Sequence, residues 1–293
     1  MDDFVERAWR LVLRREPDPG SAERVERGDV SRARLVRELV ESREFERVEV
    51  LDDGLALARR HRAERPRELR APAWSDERAI EIPWVLARYD GEARVLDIGT
   101  AFAEPMYVEG LAELGAPELV TVDLAEPATV LADVRDLPFE DNRFDVILCV
   151  STLEHVGRDN KVYDVDAPRE EHGDEAALRE LRRVLARDGR LLVSVPTGVH
   201  DDQGWQVQRE PLAWIELFEH TGFTVYEDEL YVRGDDGWRT ASLAEANAAT
   251  YGDHGAGAVL LAELHPGTVG EKLRLAVRDV RHRDVVRRST RAS

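Results

Sequence analysis

Short, largely apolar runs alternate along the chain with segments whose apolar residues recur every three to four positions. The runs at 95–98, 119–122, 146–150 and 190–195 are typical of buried parallel strands. Apolar positions at helical spacing, for example over 174–186, predict helices between them. This alternation indicates an α/β protein built on a parallel sheet.

The first apolar run opens the stretch around which the rest of the chain is organised. It ends at Gly99 and is followed by a turn and then by a second strand that ends at Asp123. Strand, turn, helix, strand and acid form one half of a nucleotide-binding βαβ unit, and the acid lies near the spacing of about 20 residues expected for a ribose-binding carboxylate. The intervening helix has its expected apolar positions at Met106, Val108, Leu111 and Leu114.

Ala101 and Ala103 stand where the nucleotide-binding pattern has glycines. Alanine disfavours positive φ and adds a methyl group where a ligand would approach the backbone. A dinucleotide pyrophosphate needs that close approach more than a nucleoside without phosphates does. The two alanines therefore disfavour an NAD-dependent oxidoreductase and are compatible with an adenosine ligand.

Composition narrows the class of protein. The net charge of −19 disfavours a nucleic-acid surface, which needs a basic footprint. The single cysteine, Cys149, excludes an internal disulfide and fits a reducing compartment. We find no apolar stretch long enough to span a bilayer, and the acidic start Met1–Asp3 does not resemble a secretory signal. These features predict a cytoplasmic protein.

The N-terminal segment has helical periodicity over 3–15 and again after Ser31, a predicted N-cap. Between the helices lies Arg-Glu-Pro-Asp-Pro-Gly at 15–20, and Ser-Arg-Glu-Phe follows at 42–45. This order resembles a small helical module related to phycobilisome linker domains. The resemblance implies a docking or assembly role, and a plain helical cap on the next domain is the alternative.

Further motifs follow the βαβ unit in order. They are Asp133 before Leu137-Pro138-Phe139, Phe144-Asp145, Leu153-Glu154-His155, Glu180 to Leu185 with Asp188-Gly189, and Leu192 to Pro196. Together with Val95–Gly99 and Asp123 they resemble the class I S-adenosylmethionine-dependent methyltransferases, in particular the type 11 branch, over about 78–264. The resemblance implies a Rossmann-like seven-stranded sheet with its last strand antiparallel, and S-adenosyl-L-methionine lying across the strand ends. We expect that last strand, at about 256–264, to pair at an edge.

The predicted organisation has four parts. A helical accessory module covers 1–50, a charged helix and linker cover 51–76, the methyltransferase domain covers 77–266, and a basic tail covers 267–293.

The resemblance also implies the cofactor-binding residues. They are Asp97, Gly99, Thr100, Ala101, Asp123, Leu124, Asp133, Val134 and Ser151. Asp123 would accept hydrogen bonds from the ribose hydroxyls. Asp133 would accept one from the adenine amine, with the Val134 N–H beside it. Ser151 would lie near the sulfonium.

His155 and Glu154 follow the fourth strand, where a base for an acceptor hydroxyl would lie. His155 has the alternative role of shaping the cofactor pocket. Two polar insertions at the same sheet edge would bind the acceptor, through Asn160 and Tyr163 in one and through His200, Asp202 and Trp205 in the other. Polar groups around a tryptophan suit a carbohydrate, and solvated loops are the alternative.

The predicted activity is O-methylation of a sugar or glycan-type hydroxyl. Three alternatives stay open: a small-molecule C-methyltransferase, an inactive scaffold with the same fold, and a metal-dependent sugar methyltransferase, although the histidines show no metal-ligand spacing. Other expected partners are a small-molecule acceptor and a protein docked on the N-terminal module.

Overall fold

The computed structural model describes residues 3–18, 20–60, 68–100, 103–163, 165, 167–252 and 255–267. The basic tail, from 268 onward, lies outside them. The helices are α1 (Asp3–Val12), α2 (Ser21–Glu26), α3 (Arg32–Val40), α4 (Arg43–Arg60), α5 (Arg78–Ala87), α6 (Pro105–Glu113), α7 (Gly173–Val184), α8 (Pro211–His220) and α9 (Leu243–Ala248), with short 3₁₀ helices at Leu153–His155 and Asn160–Tyr163.

The strands are β1 (Arg94–Ile98), β2 (Glu118–Asp123), β3 (Val130–Leu131), β4 (Phe144–Val150), β5 (Leu185–Pro196), β6 (Asp201–Asp202), β7 (Val207–Gln208), β8 (Phe223–Gly234), β9 (Gly237–Thr240) and β10 (Ala258–Pro266). None of the helices described in this way is long and apolar enough to cross a membrane.

The main sheet has the strand order β3-β2-β1-β4-β5-β10-β8-β9. Strands β1 to β5 are parallel, and β10 runs antiparallel to both β5 and β8. The predicted α/β fold with an antiparallel last strand is confirmed. Two details differ from the prediction, because β10 lies inside the sheet and β9 adds an eighth strand at the edge.

Both faces of the sheet are covered by helices, which explains why its central strands are apolar at nearly every position. Val95 and Leu148 face α5 and α6 in one core, whereas Leu96 and Ile147 face α7 and α8 in the other. Trp214 and Phe218 of α8 are fully buried in that second core.

Three local predictions need correction. In α6, Val108 is 41% exposed and Tyr107 takes its place in the core. Helix α7 ends at Val184, before the Asp188-Gly189 stop signal, because β5 already begins at Leu185. Asp188 and Gly189 therefore lie within the first, irregularly paired part of β5.

The N-terminal helices have a small core of their own, in which Trp9 and Leu35 are the largest buried side chains. Helix α4 continues through residue 50, where the sequence predicts a boundary, and packs against α5. Arg47 of α4 forms ion pairs with Asp76 at 2.6 Å and Glu104 at 2.8 Å. The module is thus attached to the helices that flank the sheet.

Trp238 secures the added edge strand to the chain before α5. Its backbone N–H donates to the Ala71 carbonyl at 2.7 Å, and its indole N–H donates to the Ser75 carbonyl at 3.0 Å. The side chain is 1% exposed. The edge of the sheet is therefore covered by backbone.

We expect Trp238→Ala to lower the free energy of unfolding by about 3–5 kcal/mol, because it leaves a cavity and an unpaired carbonyl. Trp238→Phe keeps most of the apolar volume and should cost less. Denaturant unfolding measures both, with Tyr226→Ala, at a 68% exposed position on β8, as the control. Equal effects of the alanine substitutions at Trp238 and Tyr226 would contradict this account.

Candidate active site

A crevice opens at the carboxyl ends of β1, β2 and β4, the edge at which open α/β sheets bind ligands. The predicted site residues that line it are Gly99, Asp123, Leu124, Asp133, Val134, Ser151, His155, Asn160 and Tyr163. The crevice therefore brings together residues from four separate segments of the chain.

The turn after β1 depends on Gly99. Its φ of 91° lies in the left-handed region, and its N–H donates to the Val122 carbonyl at 2.9 Å. A Cβ at this position would lie 2.1 Å from Oγ1 of Thr152. That hydroxyl is itself bonded to the carbonyls of Ile98 and Val150. Only glycine allows the turn and the segment after β4 to approach this closely.

Asp97 lies beneath the crevice and does not line it. Its fully buried carboxylate accepts hydrogen bonds from the hydroxyls of Thr100 and, at 2.5 Å, Tyr107. Burial raises the pKa of Asp97 to about 6, although both hydrogen bonds oppose the rise. Asp97 and Thr100 thus shape the turn from below. The predicted cofactor-binding residue Ala101 lies outside the described residues.

Asp123 and Asp133 mark one end of the crevice. Oδ1 of Asp123 accepts the backbone N–H groups of Leu124 at 2.6 Å and Ala125 at 3.3 Å. Asp133 is paired with the Arg135 guanidinium at its side chain and accepts the Arg135 backbone N–H at 2.9 Å. Burial opposes ionisation, but these contacts lower the pKa of Asp133 below its usual value. Both carboxylates are therefore oriented by neighbouring donors.

Ser151 connects β4 to a buried ion pair. Its φ is 41°, and its hydroxyl donates to the Glu81 carboxylate at 2.8 Å. Glu81 is fully buried in α5 and pairs with Arg78 at 2.6 Å. Burial opposes the charge on Arg78, but Glu81, Glu77 and Glu154 raise its pKa above the usual value. A permanent positive charge therefore lines the crevice.

His155 lines the crevice from the segment after β4, whereas Asp123 and Asp133 line it from the end of β2 and the segment after β3. Its Nδ1 lies 3.1 Å from the Trp205 carbonyl oxygen, which can only accept, so we assign the proton to Nδ1. The ring stacks on Trp205 with centroids 5.3 Å apart and meets the edge of Tyr163 at 5.5 Å. Burial lowers the pKa of His155 to about 4. Near pH 7 the imidazole is neutral, with Nε2 available as an acceptor.

Two further carboxyl groups lie behind His155. Oε1 of Glu154 is 3.7 Å from Nε2 of His155, and the side chain is 2% exposed. Burial raises the pKa of Glu154 to about 8. Burial and the nearby Glu81 raise the pKa of Glu77 to about 7, and its Oε2 accepts the Ala256 N–H at 3.1 Å. Near pH 7 the carboxyl groups of Glu154 and Glu77 are therefore to a large extent protonated.

The five predicted acceptor-binding residues divide into two groups. Asn160 and Tyr163 line the crevice, and Trp205 contacts it through the His155 ring. His200 and Asp202 are exposed, with Asp202 on β6 paired to Arg158 at 2.7 Å. The structure does not bring these two to the crevice, because the β6–β7 hairpin turns them toward solvent.

Sequence reasoning missed Arg78 and Tyr107, which line the crevice from α5 and α6. A signal for Arg78 exists in the sequence, because Arg78 and Glu81 lie one helical turn apart in an otherwise apolar helix. Tyr107 had no such signal, since its hydroxyl acquires a function only when α6 packs beside Asp97. Within the described ranges, no group of three or more histidine, cysteine or acidic residues is arranged to hold a metal ion.

Residues 96–193 match the family model described as a methyltransferase domain. This part of the chain is therefore similar to methyltransferase domains. The match spans β1 to β5 and so contains the strand ends that form the crevice. It does not extend to the N-terminal helices, whose resemblance to a linker module stays a prediction.

The chain has a curated relative in Methanocaldococcus jannaschii, the uncharacterized protein MJ0638. The two are 32% identical over 111 residues, which are 35% of this chain and 40% of the relative. The chain thus aligns with less than half of that relative's length.

Two solved structures are also similar to the chain. One is a Burkholderia thailandensis 1,6-didemethyltoxoflavin-N1-methyltransferase with bound S-adenosylhomocysteine (16% identity, TM-score 0.43, covering 87% of this chain and 92% of that one). The other is the CcbJ methyltransferase of Streptomyces caelestis (12% identity, TM-score 0.40, covering 64% and 88%).

The stability effect of the tight contact at Gly99 can be measured separately from the effect of its positive φ. Gly91 has nearly the same φ, 92°, with nothing within 4 Å of a Cβ. We expect Gly91→Ala to cost about 1–2 kcal/mol of unfolding free energy through backbone strain, and Gly99→Ala to cost about 1–3 kcal/mol more, because it displaces Thr152. Urea unfolding of both variants measures the difference, and equal losses would contradict a tight contact.

Proposed function

We propose that the protein transfers the methyl group of S-adenosyl-L-methionine to a hydroxyl of a small acceptor, with His155 as the base. The observation that carries this proposal is that one crevice is lined both by the β2 carboxylate, Asp123, and by a neutral imidazole, His155. The cofactor supplies a methyl group already activated on a sulfonium.

The residues of the crevice fit such a cofactor. Asp123 is oriented by two backbone N–H groups and keeps acceptor capacity for ribose hydroxyls. Asp133 and Val134 lie beside it for the adenine. Arg78 would pair with the carboxylate of the methionine part, a contact that guanidinium geometry favours. The absence of a side chain at Gly99 would allow backbone to approach the ligand closely.

The chemistry of the acceptor end favours a hydroxyl. His155 keeps Nε2 unprotonated because Nδ1–H is held by the Trp205 carbonyl. An acceptor O–H at Nε2 would give up its proton there while the oxygen forms the new bond to the methyl carbon and the C–S electron pair returns to sulfur. The polar groups of Ser151 and Asn160 support this choice over a C-methyltransferase, which needs an apolar acceptor pocket.

A sugar or glycan-type acceptor stays our proposal for the substrate class. Three of the five predicted acceptor-binding residues support it, because Asn160, Tyr163 and Trp205 lie near His155. The other two, His200 and Asp202, are exposed and do not. The N-terminal module's docking role also stays a proposal.

We expect Asp123→Ala to weaken binding of S-adenosylhomocysteine by about 100-fold or more, because two charge-assisted hydrogen bonds to ribose are lost. Calorimetric titration measures the affinity. Asp136→Ala, at an exposed acid outside the crevice, is the matched control and should bind as the wild type does. If Asp123→Ala bound S-adenosylhomocysteine with wild-type affinity, Asp123 would not be the ribose-binding carboxylate.

We expect His155→Ala to lower kcat by about 10²–10⁴-fold with little change in S-adenosylhomocysteine affinity. The assay follows release of that product with an acceptor found by screening hydroxyl compounds. Because the pKa of His155 is about 4, its base form is already complete above about pH 5, so the wild-type rate should show no histidine limb between pH 5 and 7. His200→Ala, at an exposed histidine, is the control. An unchanged kcat in His155→Ala would show that His155 is not the base.

A further inference from the structure

Arg135 lines the crevice beside Asp133, and its guanidinium has two sets of partners. Toward Asp133, Nε donates to Oδ1 at 2.9 Å and Nη2 donates to Oδ2 at 2.5 Å. In the other direction, Nη1 donates to the Pro168 carbonyl at 3.1 Å and to Oε2 of Glu170 at 2.9 Å. Only 11% of the Arg135 side chain is exposed. The planar guanidinium therefore fixes two separate segments of the chain relative to each other.

Glu170 ends a loop that also contributes to the crevice. We name residues 157–163, 165 and 167–170 the acceptor loop, because two of the predicted acceptor-binding residues belong to it. Its two ends meet, since the Glu170 N–H donates to the Gly157 carbonyl at 3.0 Å. Gly157 has a φ of 77°, and a Cβ there would lie 2.3 Å from the Glu170 carbonyl oxygen. The loop is thus closed at its base, as in an Ω-loop, and Arg135 contacts that base.

The acceptor loop has a second attachment on its other side. Arg158 pairs with Asp202 at 2.7 Å, and the Asp159 N–H donates to the Gly204 carbonyl at 2.9 Å. These contacts join the loop to the β6–β7 hairpin, whereas Arg135 joins it to the segment after β3. Between the two attachments lie the loop residues that line the crevice, namely Asn160, Tyr163, Val165 and Ala167.

The acceptor positions of Asp133 connect this arrangement to ligand binding. An ionised carboxylate offers about four of them. Arg135 occupies three, because its backbone N–H also donates to Oδ1 at 2.9 Å. The guanidinium thus fixes the plane of the Asp133 carboxylate and leaves acceptor capacity on Oδ2. An adenine amine, as in the proposed function, would meet a carboxylate that is already held in one orientation.

We propose that Arg135 is a positioning residue that preorganises the cofactor-binding carboxylate Asp133 and the acceptor loop together. This inference rests on the proposed function, which assigns the ligand of Asp133 to the adenine of S-adenosyl-L-methionine. A ligand in the crevice pays little for ordering the loop when one cation already holds both parts. Without that cation, the ligand has to order the loop as it binds, so its affinity falls and the order of the loop comes to depend on the ligand.

The test compares the wild type with Arg135→Met, which keeps an apolar side chain and removes the guanidinium donors. Calorimetry measures the affinity for S-adenosylhomocysteine, and hydrogen–deuterium exchange follows the amides of residues 157–170 with and without it. We expect the affinity of Arg135→Met to fall about tenfold or more, and loop exchange in the free protein to rise about tenfold. The gain in loop protection on binding should be larger in this variant than in the wild type.

Two further variants assign the effect to its contacts. Glu170→Gln, at an exposed acid, breaks the ion pair with the loop and leaves the pair with Asp133. It should speed loop exchange severalfold and lower the affinity less than Arg135→Met does. Combined with Arg135→Met, it should add nothing to loop exchange, because both remove the same contact. Arg169→Gln removes a different, exposed ion pair from the same loop and should change neither quantity.

Binding to the wild type tests the proposed function, and the variants test Arg135. Failure of S-adenosylhomocysteine to bind the wild type would refute the proposed function. Normal binding to the wild type, together with wild-type affinity or an equal gain in loop protection in folded Arg135→Met, would refute this inference alone. Circular dichroism checks the fold of each variant. If Arg135→Met does not fold, Glu170→Gln decides, and unchanged loop exchange in it would overturn the role of Arg135.

Discussion

The buried carboxylate of Glu81 joins the two parts of the molecule on which the crevice depends. It pairs with Arg78 on its own helix, and it accepts the Ser151 hydroxyl at the carboxyl end of β4. A charge taken out of water is tolerated only with such partners. Helix α5 is therefore positioned against β4 by polar contacts as well as by packing, and the permanent cation that lines the crevice follows from this arrangement.

The carboxyl groups near the crevice differ in whether neighbouring donors satisfy them. After β2 and β3, the carboxylates of Asp123 and Asp133 each accept hydrogen bonds from neighbouring N–H donors. After β4, Oε2 of Glu154 has no hydrogen-bond partner among the described residues, and burial raises the pKa of this carboxyl to about 8.

The sequence patterns were sufficient to predict the sheet and most of the residues that line the crevice. The strands are buried on both faces, so their apolar runs are continuous, and Gly99 and Asp123 follow directly from where those runs end. The inward position of β10 and the extra strand β9 were beyond prediction, because strand order depends on tertiary pairing rather than on local composition. Asp202 is exposed and pairs with Arg158 instead of lining the crevice, because loop composition does not reveal loop direction.

The ion pairs of Arg47 reach from an accessory helix to the rim of the crevice, since Glu104 lines it and Asp76 precedes α5. A second bridge, from Arg14 to Glu109 at 2.6 Å, holds the next turns of α6 in the same way. A shortened chain that starts at α5 would lack Asp76 and would leave Glu104 and Glu109 without these cations. Removing the first helices would therefore alter the electrostatic potential at the mouth of the crevice, and the isolated catalytic half would not be an equivalent enzyme.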